Sequence, residues 1–286
     1  MEKSIKKGKN RKKLVFLAVW LAAIAVIVMG ILLLWPPEAK HETIKEVMKD
    51  GVLHEHNKMW LFGLEVNPGL ISAYAVTAIL LLTAALIRIF AIPNFKIVPG
   101  KFQCAVEKLV EFFSDMAHAN SHHKARFVGA YIFSAGVYIF FGTLFELFGV
   151  QWLTTTGMSM SLPAPLSDIN AAIAMGVMSY TIILGAGILC GGVRGALGVL
   201  KDFSLPISMS FRLFGALISG LLVTELVYYY VSLSFVLPVI VGVLFTLLHA
   251  IVQTYVLATL VSIFYGEAVE PKPKKLKNKK QRGKLK

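Results

Sequence analysis

Six stretches of the chain run on with almost no charged side chain: Leu14–Leu34, Leu70–Ile92, Phe127–Leu153, Asn170–Cys190, Pro206–Val231 and Phe235–Tyr265. A helix rises 1.5 Å per residue, so about 20 such residues cross a hydrocarbon core of roughly 30 Å. Inside that core every backbone polar group must be satisfied within the segment, which selects helices. The chain is therefore expected to be an all-α integral membrane protein with about six membrane helices. The last two runs, joined at Ser232–Ser234, form a long hairpin. Its second arm has 31 residues and would be about 46 Å long, so it must tilt or be buried against a partner. Only 16% of the residues are charged, against roughly 25% in soluble domains. Disordered and ordinary soluble architectures are excluded.

The net charge of +13 is a matter of topology once the charges are located. Lys3–Lys13 carries seven Lys or Arg and Lys272–Lys286 carries nine. With an inside N-terminus, the inside segments hold 23 basic residues and the outside segments four. That bias places both tails in the cytoplasm, beside anionic headgroups of the lipid bilayer, and argues against a nucleic-acid partner. The first run is longer than the roughly 7–15-residue core of a signal peptide and lacks a small-residue cleavage site, so it reads as an uncleaved anchor. Between the second and third runs, Val106, Leu109, Val110 and Phe113 recur at helical spacing, as in a helix lying at the membrane surface.

Ionisable groups inside spans are costly and point to function. Arg212 and Glu225 lie on the fifth run, Glu146 on the third, and His249 with Gln253 on the last. Ser208, Arg212, Ala216, Gly220 and Thr224 are each four apart, a stripe that is small except for one guanidinium. Small residues let another helix approach closely. If Arg212 stands opposite Gln253 in the hairpin, His249 comes level with Ala216. Plain packing accounts for many small stripes, and a solitary membrane histidine is commonly a hydrogen-bonded core residue. What raises Arg212 above that reading is the polar company on the neighbouring helix. Arg88 reads as a residue that snorkels to headgroups.

No metal or cofactor is expected. His54, Glu55, His56, His118, His122 and His123 read as solvated loop residues, and Cys104 and Cys190 as structural thiols. Gly191-Gly192-Val193-Arg194-Gly195 follows no strand, so it is not a nucleotide turn. No Walker sequence and no Ser–His–Asp arrangement occurs.

The segment Leu205-Pro206-Ile207-Ser208-Met209-Ser210-Phe211-Arg212-Leu213-Phe214-Gly215 resembles the signature of subunit a of the F-type ATP synthase family. Gln253 resembles that family's paired glutamine. Val98-Pro99-Gly100-Lys101-Phe102-Gln103 with Glu107, and Asp168-Ile169-Asn170, resemble further segments, and the resemblance spans about Asn67 to Glu267. It implies a non-catalytic stator subunit that carries H⁺ or Na⁺ through two offset half-channels. Those channels serve the carboxylates of a c-subunit ring and couple ion flow to ATP synthesis or hydrolysis. Arg212 would be the barrier and carboxylate partner, with Gln253 beside it and Ala216 and Gly220 facing the ring. Implied partners are the c-subunit ring, b-type peripheral stalk subunits and, indirectly, the ATPase catalytic sector.

Three positions depart from the family's pattern: Ala216, Leu221 and Thr246 stand where polar access groups are usual. His249 and Glu225 are expected to replace them, with Glu146, Ser208 and Ser210 also on the ion path. The chain then divides into a basic cytoplasmic tail (1–13), an extra N-terminal membrane anchor (14–34), an external loop (35–69), the ion-translocating domain (70–267) and a second basic cytoplasmic tail (268–286). A bacterial inner membrane is the expected location. A self-contained secondary ion transporter is the alternative, although it calls for an internal repeat that the sequence does not show. A membrane anchor or assembly scaffold, indifferent to Arg212, is a further one.

Overall fold

The computed structural model describes residues 20–22, 29, 58–61, 63–121, 125–153, 155, 159–229 and 237–269. Residues 1–43 and 44–286 form separate units. Of the first, only residues 20–22 and 29 are described, all helical, so the expected 14–34 anchor and both basic tails lie almost wholly outside the described residues. So do His54, Glu55, His56, His122, His123 and the Ser232–Ser234 turn.

Among the described residues of the second unit six α-helices follow one another: α1 (Pro68–Leu86), α2 (Lys101–Asn120), α3 (Ala125–Phe145), α4 (Ile169–Leu200), α5 (Ser204–Tyr229) and α6 (Leu237–Val269). Among the described residues five segments are long and apolar enough to cross a membrane, those of every one of these helices except α2. They coincide with the second to sixth apolar runs.

Local chemistry sets the ends. Asn67 caps α1 by accepting from the Gly69 amide at 3.3 Å, with Pro68 in the first turn, where its missing N–H costs nothing. Past Leu86 the helix widens into a π turn at Ile87–Ala91 and tightens into a 3-10 turn at Ile92–Asn94. Pro93 cannot donate a helical hydrogen bond, which accounts for the loss of regular pitch. The third run is helical only to Phe148. Gly149 follows with φ 57°, a left-handed stop that glycine takes without strain.

Two short hairpins then appear that the apolar pattern did not announce. β1 (Met59–Leu61) pairs with β2 (Leu64–Val66), and β3 (Gln151–Leu153) with β4 (Ser159–Ser161). The Thr155 amide donates to the Lys58 carbonyl at 2.9 Å and links them.

The core is built on α3 and α6, with α2 beneath. Gly136 is their meeting point: a Cβ there would lie 2.6 Å from the Phe113 ring and 3.2 Å from the Thr254 methyl. The Thr254 hydroxyl donates to the Gly136 carbonyl at 3.3 Å. Small residues permit this closeness, and packing rather than water expulsion rewards it in a membrane. Nearer the end of α6, the Ser262 hydroxyl donates to the Met116 carbonyl at 2.8 Å, and Asn120 donates to Ser262 at 3.2 Å. α2 is thus a surface helix by composition that nevertheless docks Phe113 and Ala117 into the bundle.

α4 is two helices. At Gly192 the backbone takes φ 57°, ψ −145°, a combination open to glycine, and the chain folds back on itself. The return arm lies so close that a Cβ on Gly195 would strike the Gly187 carbonyl oxygen. The Tyr180 hydroxyl reaches the Val199 carbonyl at 3.4 Å. The Gly191-Gly192-Val193-Arg194-Gly195 stretch is therefore a helical reversal.

Candidate functional site

Arg212 stands two turns into α5 and is exposed, as are Ser208 one turn before it and Phe211 beside it. Among the described residues it has no ion-pair or hydrogen-bond partner. The exposed side chains of α6 include Leu244, Leu248, Ile251, Val252 and Tyr255, none of them a carboxylate. A guanidinium keeps its charge in every protein setting. At the centre of a membrane helix a lone one costs about 2.5–3.5 kcal/mol on insertion scales. The open face of α5 therefore presents an uncompensated cation outward from the bundle.

The stripe of residues four apart does not stay on that face. Each step of four advances 400°, or 40° past a full turn, because the helix has 3.6 residues per turn. Ser208 and Arg212 are exposed, whereas Ala216 and Gly220 are half-buried, and Gly220 faces α6. A Cβ on Gly220 would lie 3.3 Å from His249 Nδ1 and 3.5 Å from Cε1. The imidazole therefore reaches Gly220, where the Phe245 Cβ also lies 3.9 Å from the added carbon, and it packs on Phe245 with ring centroids 5.9 Å apart. The close approach permitted by a glycine makes this contact, and no spacing rule within one helix reports it.

Gln253 is buried, 6% exposed, one turn along α6 from His249. No hydrogen bond joins it to Arg212 among the described residues. Its neighbour Thr254 makes the contact with Gly136 described above, so this stretch of α6 is held by α3.

The two serines separate. Ser208 shares the open face with Arg212. Ser210 is buried and donates to the Pro206 carbonyl at 2.6 Å, the back-bond typical of membrane serines. It sits where Gly176 of α4 meets α5: a Cβ on Gly176 would collide with the Ser210 hydroxyl and lie 2.8 Å from the Pro206 carbonyl. Sequence reading missed Gly176, because nothing about a glycine in α4 says which helix it faces.

Glu146 is half-buried in a 3-10 turn, Glu146–Phe148, at the end of α3 farther from α2. That turn packs against α6. Glu225 lies on α5 about 20 Å beyond Arg212 at 1.5 Å per residue, and its side chain is outside the described residues. Asp168 caps α4, accepting from the Asn170 amide at 2.9 Å. Among the described residues no group of three His, Cys, Asp or Glu side chains is placed to hold a metal ion.

Residues 71–266 match the family model described as ATP synthase A chain. The chain is similar to the ATP synthase subunit a of Aeromonas salmonicida, 29% identical over 154 residues, covering 46% of this chain and 60% of that protein. It is also similar to the ATP synthase subunit a of Cereibacter sphaeroides, 26% identical over 204 residues, covering 67% of this chain and 78% of that protein.

Proposed function

The chain belongs to the ATP synthase A chain family, and we propose that it is the stator of a rotary ion path, with Arg212 as its central electrostatic element. The observation that carries this reading is the outward exposure, on a membrane helix, of a guanidinium that has no partner among the described residues. A self-contained transporter would keep such a charge inside the bundle, paired or hydrated. A charge turned outward calls for a compensating carboxylate on another subunit, here a ring of small hairpin subunits.

The mechanism follows from charge. An ion arriving through one half-channel neutralises a ring carboxylate, which then turns through the apolar surroundings. When it returns to Arg212, the guanidinium favours the ionised form and the ion leaves by the second half-channel. The same fixed charge disfavours a cation crossing directly between channels. Ser208 lines the approach on the open face. His249, Glu225 and Glu146 serve the access path, with His249 and Glu225 in place of the polar groups missing at Ala216, Leu221 and Thr246. That assignment fails if His249→Ala and Glu225→Gln together leave ion translocation unchanged.

Ala216, half-buried beside Arg212, forms the flank of the ring contact with Gly220, and Gln253 steadies the helix face behind it. The ion is H⁺ or Na⁺. The chain would sit in a bacterial inner membrane with both termini cytoplasmic and an extra anchor at 14–34. It would be braced by b-type stalk subunits and coupled through them to the ATPase sector. Purification by a tag on this chain tests the assembly: ring hairpins and peripheral ATPase should come with it. Recovery of the chain alone, under mild detergent that keeps other membrane complexes intact, would oppose the reading.

A further inference from the structure

α2 presents three surfaces. Phe113, Met116, Ala117 and Asn120 turn into the bundle, while Glu107, Glu111 and Asp115, spaced four apart, form an exposed stripe. Between them Val106, Val110 and Ser114, together with Ile92 and Phe95 from the preceding turn, line a groove of about 610 Å³. Its shape is fixed by Gln103, which accepts from the Lys96 amide at 3.0 Å and donates to the Lys96 carbonyl and to Glu107, each at 2.8 Å. Among the described residues Glu111 and Asp115 have no ionic partner. The groove thus has an apolar floor and an uncompensated acidic wall.

We propose that this groove holds the chain's own C-terminal segment, residues 270–286. α6 ends at the Asn120 end of α2, with Gly266 packed on the Asn120 carbonyl, so the chain leaves Val269 on the side of α2 from which it must run back along that helix to the groove. Pro271 and Pro273 follow at once and oppose continuation of the helix. Residues 272–286 carry nine Lys or Arg and no acid, complementary to the stripe, and Leu276 supplies an apolar side chain for the floor. Reach is ample: 17 residues extend to about 56 Å, whereas Asn120 to Glu107 is about 20 Å of helix.

An anionic lipid headgroup is a poorer occupant, because three carboxylates repel it where they attract lysines. Exposed ion pairs are individually weak and screened by salt, so docking should be salt-sensitive.

The assembled complex in its native membranes provides the test. In a background of Cys104→Ser and Cys190→Ser, Ser114→Cys is combined with Asn278→Cys, which leaves every charge in place. A short bismaleimide should then join the two within one chain. High salt, or Glu107→Lys with Asp115→Lys, should reduce the yield several-fold. No crosslink, a crosslink to another subunit instead, or a yield indifferent to salt would overturn the proposal.

A second measurement needs no cysteines: trypsin cleavage within 272–286 of the complex reconstituted in neutral phosphatidylcholine. The Glu107→Lys/Glu111→Lys/Asp115→Lys variant should be cut several-fold faster than wild type. Equal rates, or protection that appears only when anionic phosphatidylglycerol is added, would show that the tail binds elsewhere.

Discussion

The imidazole of His249 stands against Gly220, so near that a single added carbon would lie 3.3 Å from Nδ1. Glycine at that position is what lets a ring from α6 sit on the backbone of α5. Gly220→Ala asks only a slight shift of the imidazole and should leave ion pumping close to wild type. Gly220→Val should displace the ring and lower pumping. Because Gly220→Val and His249→Ala act on one imidazole, the double variant should be no worse than the weaker single, a departure from additivity. Fully additive losses in vesicle pumping would break the link between the two residues.

Gly136 should be intolerant of any side chain. A Cβ at 2.6 Å from the Phe113 ring and 3.2 Å from Thr254 overpacks the junction of α2, α3 and α6. Overpacking costs about 1–3 kcal/mol. Thermal unfolding of the detergent-solubilised complex should show Gly136→Val destabilised, with Phe113→Ala in the same chain restoring part of the loss. Stability unaffected by Gly136→Val would mean that the three helices do not converge there.

Ser210 is expected to matter for packing rather than for ions. Its hydroxyl is committed to the Pro206 carbonyl at 2.6 Å. Ser210→Ala should therefore pump like wild type. Gly176→Ala should reduce the amount of complex in the membrane, and adding Ser210→Ala should rescue it only in part, because the Pro206 carbonyl remains 2.8 Å away. Immunoblots and pumping assays on the three variants separate these outcomes.

Asp168 caps α4 with one side-chain oxygen, and a Cβ on Gly69 would approach its Cβ to 2.9 Å. Asp168→Ala should destabilise the helix start by about 0.5–2 kcal/mol, whereas Asp168→Asn keeps the acceptor. Equal melting curves for the two variants would remove the capping role.

The membrane spans were legible because hydrocarbon imposes one length and one secondary structure, so the runs from Leu70 to Tyr265 map onto α1 and α3–α6. The signature around Arg212 was equally legible, being a local string. Interhelical facts were not. The four-residue stripe looked like a single face from Ser208 to Thr224, yet a 40° advance per step carries Gly220 round to α6 while Arg212 stays exposed. The contact of His249 with Gly220 was equally hidden, because it depends on how closely a glycine lets α6 approach α5. Gly192 shows the same limit. Its neighbourhood read only as a glycine-rich stretch that is no nucleotide turn, and the packing of Gly195 on Gly187 reveals a tight helical reversal.

The account turns on Arg212, exposed on α5 and without a partner among the described residues. The most direct measurement is ATP-driven ion pumping by membrane vesicles carrying Arg212→Ala beside wild type, with assembly of the complex checked in both. The account predicts that the complex assembles and pumping is lost. Unchanged pumping by an assembled Arg212→Ala complex would contradict it and leave the guanidinium a packing or snorkelling residue.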